Sequence, residues 1–137
     1  MRVVLDTNVL LSACLKPLGL EAQVVDQALG GIVEAYVTQA VLDEYADVLR
    51  RDKFRACRER AETILAGIER CAVHVTAGET ATGASDEDDN RFLECAAAAG
   101  AVYLITGNLR HFPADWGSAR VVNARQFRDE AFRDEVP

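Results

Sequence analysis

The segment near the start of the chain that says most about the fold is Arg2-Val3-Val4-Leu5-Asp6-Thr7-Asn8. Its apolar, β-branched segment, Arg2–Leu5, predicts a buried strand. Asp6 follows directly, so a carboxylate stands at the carboxyl end of this first strand. Open parallel sheets collect their chemistry at that edge. The opening therefore predicts a first strand and a first site residue together.

Outward from this start, short apolar runs alternate with longer helical patterns. The other predicted strands are Glu34–Val37, Cys71–Val75, Val102–Ile105 and Arg120–Val122. The predicted helices are Val9–Lys16, Glu21–Leu29, Gln39–Arg51, Phe54–Glu69, Asp89–Ala99 and a terminal helix capped by Asn123. The segments Thr76–Ser85 and Thr106–Ala119 are predicted to be loops. Strands separated by helices predict an α/β fold, with a central parallel sheet and helices on both of its faces.

Size and charge narrow the class of protein. The chain has 137 residues, 50% of them hydrophobic, with 15 Lys and Arg against 22 Asp and Glu. These values predict a single domain over 1–137 and exclude intrinsic disorder. No apolar run is long enough to span a membrane and no signal peptide is visible, so we expect a soluble, cytoplasmic protein. The net charge of −7 argues against a protein that coats nucleic acid, but not against a nuclease that gathers metal ions.

The cysteines and histidines show no metal-binding pattern. They are Cys14, Cys57, Cys71, Cys95, His74 and His111. No two cysteines form a C-x-x-C pair, and neither histidine stands at the spacing of a zinc ligand. We therefore expect reduced thiols, most of them buried.

Polar and acidic side chains follow several predicted strands at the same edge of the sheet. Besides Asp6, they are Glu44 after the second strand, Asp86, Asp88 and Asp89 before the small-residue helix, and Thr106-Gly107-Asn108 after the penultimate strand. The helical period places Glu44 at the rim of the apolar face of its helix, about 100° from Tyr45. The same period favours Asp89 over Asp88, with Asp86 as the second choice.

Each of these residues also has a structural interpretation. Asp6 could cap the following helix, and Glu44 could be an ordinary surface glutamate. The acids at 86–89 could complement a helix dipole, and Asn108 could be a turn residue. The four features are harder to dismiss together, because all of them are predicted at one edge of the sheet.

Carboxylates that lie close together at one edge of the sheet repel each other. Two carboxylates about 4 Å apart repel each other by roughly 4 kcal/mol at an effective dielectric constant near 20. Three such groups in one cleft require a cation, and oxygen ligands favour Mg²⁺ or Mn²⁺ over zinc. A metal of this kind activates water and stabilises charge on a phosphodiester. The sequence therefore predicts metal-assisted phosphodiester hydrolysis.

At these residues the chain resembles the PIN-domain family, and within it the VapC-like toxins of toxin–antitoxin pairs. The resemblance runs from Val3 to about Val122 and rests on four motifs. They are Val3-Val4-Leu5-Asp6-Thr7-Asn8-Val9-Leu10, Val41-Leu42-Asp43-Glu44-Tyr45-Ala46-Asp47-Val48-Leu49, Asp86-Glu87-Asp88-Asp89-Asn90-Arg91-Phe92-Leu93 and Leu104-Ile105-Thr106-Gly107-Asn108. Many members carry Asp where this chain has Asn108. Asparagine still offers a carbonyl oxygen to a metal but adds no charge.

The resemblance implies a three-layer PIN fold with a five-stranded parallel sheet. It also implies an endoribonuclease that needs Mg²⁺ or Mn²⁺ and cleaves single-stranded RNA. The implied catalytic residues are Asp6, Glu44, Asp89 and Asn108, and the implied metal ligands are Asp6, Glu44, Asp89 and, less centrally, Asp86. Thr7, Asn8 and Thr106 are candidates for contacting substrate, with support of Asp6 as the alternative role of the threonines. The implied partners are a cognate antitoxin and a second copy of the chain.

Two other functions compete with this prediction. An aspartyl-phosphate phosphatase also places Asp after its first strand, but position 8 is Asn and no Lys follows Lys53. A non-catalytic module that binds RNA or protein is the stronger alternative, and Asn108 is the residue that favours it. The basic run Arg50–Arg60 fits either phosphate steering or a solvated surface. His111 and Trp116 are weaker candidates for catalysis and for base stacking.

Overall fold

The computed structural model describes residues 1–132 and shows one central sheet with helices on both of its faces. Its strands are β1 (Arg2–Leu5), β2 (Glu34–Val37), β3 (Val73–His74), β4 (Tyr103–Ile105), β5 (Asp115–Trp116) and β6 (Ala119–Val122). Its helices are α1 (Thr7–Leu15), α2 (Leu20–Leu29), α3 (Gln39–Leu49), α4 (Arg58–Cys71), α5 (Asn90–Ala99) and α6 (Ala124–Ala131). Short 3₁₀ turns cover Asp52–Cys57, Glu87–Asp89 and Leu109–His111. The predicted α/β class is confirmed.

The sheet has six strands in the order β3-β2-β1-β4-β6-β5, where about five were expected. The five predicted strands run parallel, and β5 pairs antiparallel with β6. The additional strand lies inside the segment predicted as the loop Thr106–Ala119. Gly117 turns the chain between β5 and β6 with a φ of +59°, a conformation that glycine adopts without strain. A two-residue strand carries no periodic pattern, so its place is set by the hairpin.

Several predicted boundaries also shift. The expected helix Phe54–Glu69 is a 3₁₀ turn followed by α4, which continues to Cys71 and shortens the strand after it to β3. α1 begins at Thr7 rather than Val9, because Asp6 caps it. The predicted stop at Gly100 is confirmed, with a φ of +60°. None of the helices in the described part of the chain is long and apolar enough to cross a membrane.

The centre of the sheet positions the predicted site. Val3, Val4 and Leu5 are at most 1% exposed, so β1 is buried after its first residue. β1 and β4 align Leu5 with Ile105, which brings their carboxyl ends level. On α3, Tyr45 is 1% exposed, and its hydroxyl donates to the Leu5 carbonyl. Because Tyr45 follows Glu44 in the chain, this bond ties the helix that carries Glu44 to the strand that precedes Asp6.

Replacing Tyr45 with phenylalanine tests this tie. Tyr45→Phe loses one buried hydrogen bond but keeps the aromatic packing against Phe92, so we expect it to lower the unfolding free energy by about 1 kcal/mol. Thermal unfolding measures this as a fall in Tm of about 4 °C. Tyr36→Phe is the matched control, since no hydrogen bond to a residue of the range 1–132 is found for the Tyr36 hydroxyl. Equal losses in the two variants would contradict the role given to the Tyr45 hydroxyl.

Candidate active site

An open cleft of about 220 Å³ lies beyond the carboxyl ends of the central strands. Its polar lining consists of Asp6, Thr7, Asn8, Glu44, Asp86, Asp89, Asn108 and His111. The fold thus gathers nearly every site residue predicted from the sequence into one place. Thr106 is the exception, because it is fully buried and lies outside the lining.

Asp6 is the most buried acid of the cleft, with 5% of its surface exposed. Its Oδ1 accepts from the Thr7 backbone N–H at 2.7 Å, which makes it the N-cap of α1. Its Oδ2 accepts from the Thr106 hydroxyl, also at 2.7 Å. The pKa of Asp6 is raised to about 6, mainly by burial and then by the charge of Asp89. The two hydrogen bonds and the charge of His111 lower the pKa and offset only part of this rise. The capping and site interpretations of Asp6 are therefore compatible.

Thr106 is buried next to the cleft and supports two of its residues through hydrogen bonds. Its hydroxyl donates to Asp6 and accepts from the Asn108 backbone N–H at 2.9 Å. One buried hydroxyl therefore orients both the acid after β1 and the loop that carries Asn108. In this structure Thr106 is placed to position Asp6 and not to touch a substrate. Across the same loop, Asn8 Oδ1 accepts from the Gly107 N–H at 3.0 Å.

Glu44, in the middle of α3, and Asp89, just before α5, complete the acidic lining. Glu44 projects from α3, and burial followed by the charge of Asp88 raises its pKa. Asp89 ends the 3₁₀ turn before α5, and burial followed by the charge of Asp86 raises its pKa. Asp89 also contributes to the raised pKa of Glu44 and of Asp6. Burial is the first cause of all three upward shifts, and in each case a neighbouring carboxylate raises the pKa as well. A bound cation would relieve such an environment.

Asp86 and His111 lie at the mouth of the cleft. Asp86 is exposed, and its Oδ1 accepts from the Asp88 N–H at 3.0 Å, so part of its role is to cap its own turn. His111 Nδ1 lies 3.3 Å from Asp89 Oδ2. No local sequence pattern predicts this pair, because the two residues belong to different elements. A protonated His111 partly offsets the charge of Asp89 and lowers its pKa.

The loop before Asp86 is held by residues that the sequence analysis missed. Asn90 is 2% exposed; its Oδ1 accepts from the Ala84 N–H, and its Nδ2 donates to Glu87, both at 2.9 Å. Gly83 lies against Trp116, where an added Cβ would come within 2.4 Å of the indole ring. The sequence shows only an asparagine at the start of a predicted helix, and it does not show that this side chain is buried and holds the loop.

Three of the six basic residues in the run Arg50–Arg60 form hydrogen bonds or ion pairs within the protein. Arg50 pairs with Glu62 through Nε at 2.8 Å and Nη2 at 3.0 Å. Arg51 pairs with Asp47 at 3.1 Å, and Arg60 Nε donates to the Ala13 carbonyl at 3.0 Å. These contacts favour the structural interpretation for those three arginines.

A family model described as the PIN domain matches residues 2–110, which include all the acids of the cleft. The chain belongs to the PIN-domain family. An uncharacterized protein of Methanocaldococcus jannaschii is 28% identical to this PIN domain over 111 residues, which are 79% of this chain and 71% of that protein.

A solved structure resembles this PIN domain in fold. It is the crystal structure of VapBC2 from Rickettsia felis bound to a DNA fragment from its promoter, with a TM-score of 0.59. The match covers 90% of this chain and 98% of the other, at 16% sequence identity. At that identity the likeness shows a shared fold, and it confirms the PIN fold expected from the sequence.

The donor chemistry of this PIN domain fits a hard divalent ion. No three His, Cys, Asp or Glu side chains of residues 1–132 stand close enough to enclose an ion by themselves. Mg²⁺ does not need such a cage, because it retains several waters and takes one or two carboxylates with substrate oxygens. Thr7 Oγ1, which is buried in the cleft wall, has no hydrogen-bond partner in the described range. The cleft thus offers carboxylates and one unsatisfied hydroxyl.

Removing the Thr106 hydroxyl tests its support of Asp6. We expect Thr106→Val to raise the pKa of Asp6 further, since a hydrogen bond to the ionised carboxylate is lost. Any activity that needs ionised Asp6 should fall by about 10- to 100-fold and should appear at higher pH. Thr106→Ser keeps the hydroxyl and should retain most of the activity. Rates measured from pH 5 to 9 check this, and an unshifted Thr106→Val profile would contradict it.

Proposed function

We propose that this PIN domain is a Mg²⁺- or Mn²⁺-dependent endoribonuclease that cleaves phosphodiesters of single-stranded RNA. The observation that carries the proposal is the convergence of Asp6, Glu44 and Asp89 in one cleft with their pKa values all raised. Family membership supports it, because the acids lie within the matched region. The non-catalytic alternative rests on Asn108 alone and has no such convergence behind it.

The proposed roles follow from position. Asp6, Glu44 and Asp89 are the proposed ligands, with Asp86 at the mouth of the cleft as an additional one. One or two of these carboxylates would bind the ion directly, and the others would bind it through its waters. When bound, the ion supplies an activated water and neutralises charge that develops on the phosphate. Asn108 offers a neutral amide to the ion or its water shell. Thr7 and Asn8 line the same cleft as Asp6 and are the proposed contacts to the phosphate.

We further propose that the nuclease is the toxin of a type II toxin–antitoxin pair. The structure with the similar fold is a VapBC2 assembly, which supports a cognate antitoxin as partner. A second copy of the chain is a further candidate partner, and the cytoplasm, where RNA is available, is the proposed location. Co-expression with the product of the neighbouring gene tests the pairing. Inhibition of RNA cleavage by that product would support it, and full activity of the mixture would contradict it.

The direct test is cleavage of a defined single-stranded RNA by purified protein. We expect fragments with Mn²⁺ or Mg²⁺ and none with EDTA. A preparation of Asp6→Asn made in parallel detects contaminating nuclease. Intact RNA across a panel of single-stranded and structured substrates, with folded protein free of antitoxin, would overturn the proposal. Tight binding to the same RNA without cleavage would identify a binding module instead.

A further inference from the structure

A second groove adjoins the acidic cleft on the side of β6. It has a volume of about 430 Å³ and is lined by Gly107, Asn108, Leu109, Arg110, His111 and Asn123. Asn108 and His111 also line the cleft, so the two depressions share a wall. A strand that leaves the cleft on this side therefore enters the groove directly.

Arg110 gives this groove a positive charge in an otherwise acidic protein. Its side chain is exposed and forms no ion pair with any of residues 1–132. Arg51, just after α3, and Arg91, on α5, differ from it in this respect. Arg51 pairs with Asp47, and Arg91 pairs with Glu87 and Glu94. Arg110 follows Leu109 in a 3₁₀ turn fixed to the site, since the His111 N–H donates to the Asn108 carbonyl at 3.0 Å.

We propose that Arg110 binds a backbone phosphate of the RNA next to the scissile one, and that the adjoining groove receives that nucleotide. This inference rests on the proposed function and names part of its substrate site. A guanidinium that no carboxylate occupies is free to make charged hydrogen bonds to phosphate. The start of α6 also favours an anion in the groove. Its N-cap residue Asn123 lines the groove, so the positive end of the helix dipole lies there.

The contact would also reduce the electrostatic repulsion between the acidic cleft and the RNA backbone. Residues Asp6, Glu44, Asp86 and Asp89 repel a polyanion, and a bound ion offsets that repulsion only at the scissile phosphate. The neighbouring phosphate needs its own counter-charge, and Arg110 supplies one within two residues of Asn108. Such a contact holds the strand in register but reads no base. Arg110 is accordingly a positioning residue.

The test compares Arg110→Gln with Arg70→Gln. Arg70 is also exposed and without an ion pair in the described part of the chain. It lies at the end of α4, before β3 begins, and therefore at the opposite edge of the sheet. We expect Arg110→Gln to lower kcat/KM on single-stranded RNA about tenfold at low salt. The slope of log affinity against log salt should also decrease by about 0.7, as for one lost phosphate contact. Arg70→Gln should change neither.

RNA affinity is measured in the Asp6→Asn background, which keeps the RNA intact. RNAs with a single neutral methylphosphonate locate the contact. At one position beside the scissile bond, the neutral linkage should weaken RNA binding by the parent protein. The same linkage should not weaken RNA binding by the Arg110→Gln variant any further.

The outcomes separate this inference from the proposed function. Efficient cleavage with equal behaviour of Arg110→Gln and Arg70→Gln would overturn the role of Arg110 and leave the nuclease intact. Binding that depends on Arg110 without any cleavage by the wild type would overturn the nuclease and support the groove. Neither binding nor cleavage of RNA would overturn both.

Discussion

Asp6→Asn is expected to abolish RNA cleavage, by at least about a thousandfold, and to leave the fold at least as stable as the wild type. The amide removes the charge that binds the ion, and the loss of a group on which a metal site depends is usually severe. The change in shape is minimal, because an amide oxygen can still accept from the Thr7 N–H that Asp6 caps.

The stability expectation follows from the raised pKa of Asp6. Burial takes it from 3.8 to about 6 in the folded protein. At pH values below 4 the group is protonated in both states, and it costs the fold nothing. As the pH rises through 6, the folded protein must ionise a buried carboxyl, which costs about 3 kcal/mol relative to the unfolded chain. Asp6→Asn removes that cost, so its gain in stability should be largest at pH 7 to 8 and should disappear towards pH 4.

Thermal unfolding of both proteins in EDTA between pH 4 and pH 8 measures this difference. Asp43→Asn is the matched control, because Asp43 is exposed on α3 and its carboxylate contacts only Gln39 among the hydrogen-bond partners described. That variant should cleave RNA like the wild type. A stable Asp6→Asn protein with full, metal-dependent activity would exclude Asp6 from the machinery. A variant that unfolds at low temperature at every pH would contradict the stability argument.

Divalent ions should stabilise the wild type strongly at neutral pH. An ion present at a hundred times its Kd adds about 2.7 kcal/mol, which corresponds to a rise in Tm of about 11 °C. The carboxylates must be ionised to bind it, so the effect should shrink as the pH falls through 6. This readout needs no RNA and no turnover.

The controls isolate the cleft as the origin of that rise. Sodium chloride at equal ionic strength should produce little of it, because it screens charge without binding between the acids. Asp6→Asn and Glu44→Gln should each lose most of the shift, whereas Asp43→Asn should keep it. A rise of equal size in all the variants would mean that the ions bind elsewhere on the protein.

The sequence predicted the buried framework well because the central parallel strands are mostly continuous apolar runs. Arg2–Leu5 and Glu34–Val37 were predicted with the bounds that the structure shows. The failures lie where local pattern carries no signal. β5 is two residues long, and it exists because Gly117 turns it back onto β6. The 3₁₀ turn Asp52–Cys57 has helical spacing but a non-helical break at Phe54.

Asp6 and Asp89 could be predicted because one follows a strand and the other precedes a helix. Glu44 could be predicted because the helical period places it at the rim of the apolar face of α3. Their supports could not, since they are tertiary contacts. Nothing local shows that the Tyr45 hydroxyl reaches the Leu5 carbonyl, or that His111 meets Asp89. Thr106 was recognised as part of the site, but its role changed once full burial placed it behind Asp6.

The contact between Trp116 and Gly83 also gives the protein a built-in optical probe. Trp116 is the only tryptophan in the chain, so all of the indole fluorescence arises beside the loop that leads to Asp86. The ring is half-buried there, and its emission wavelength depends on how much water reaches it. When a ligand tightens or loosens this loop, the emission should shift without any label. Ion and RNA binding can therefore be followed by stopped-flow methods in the unmodified protein.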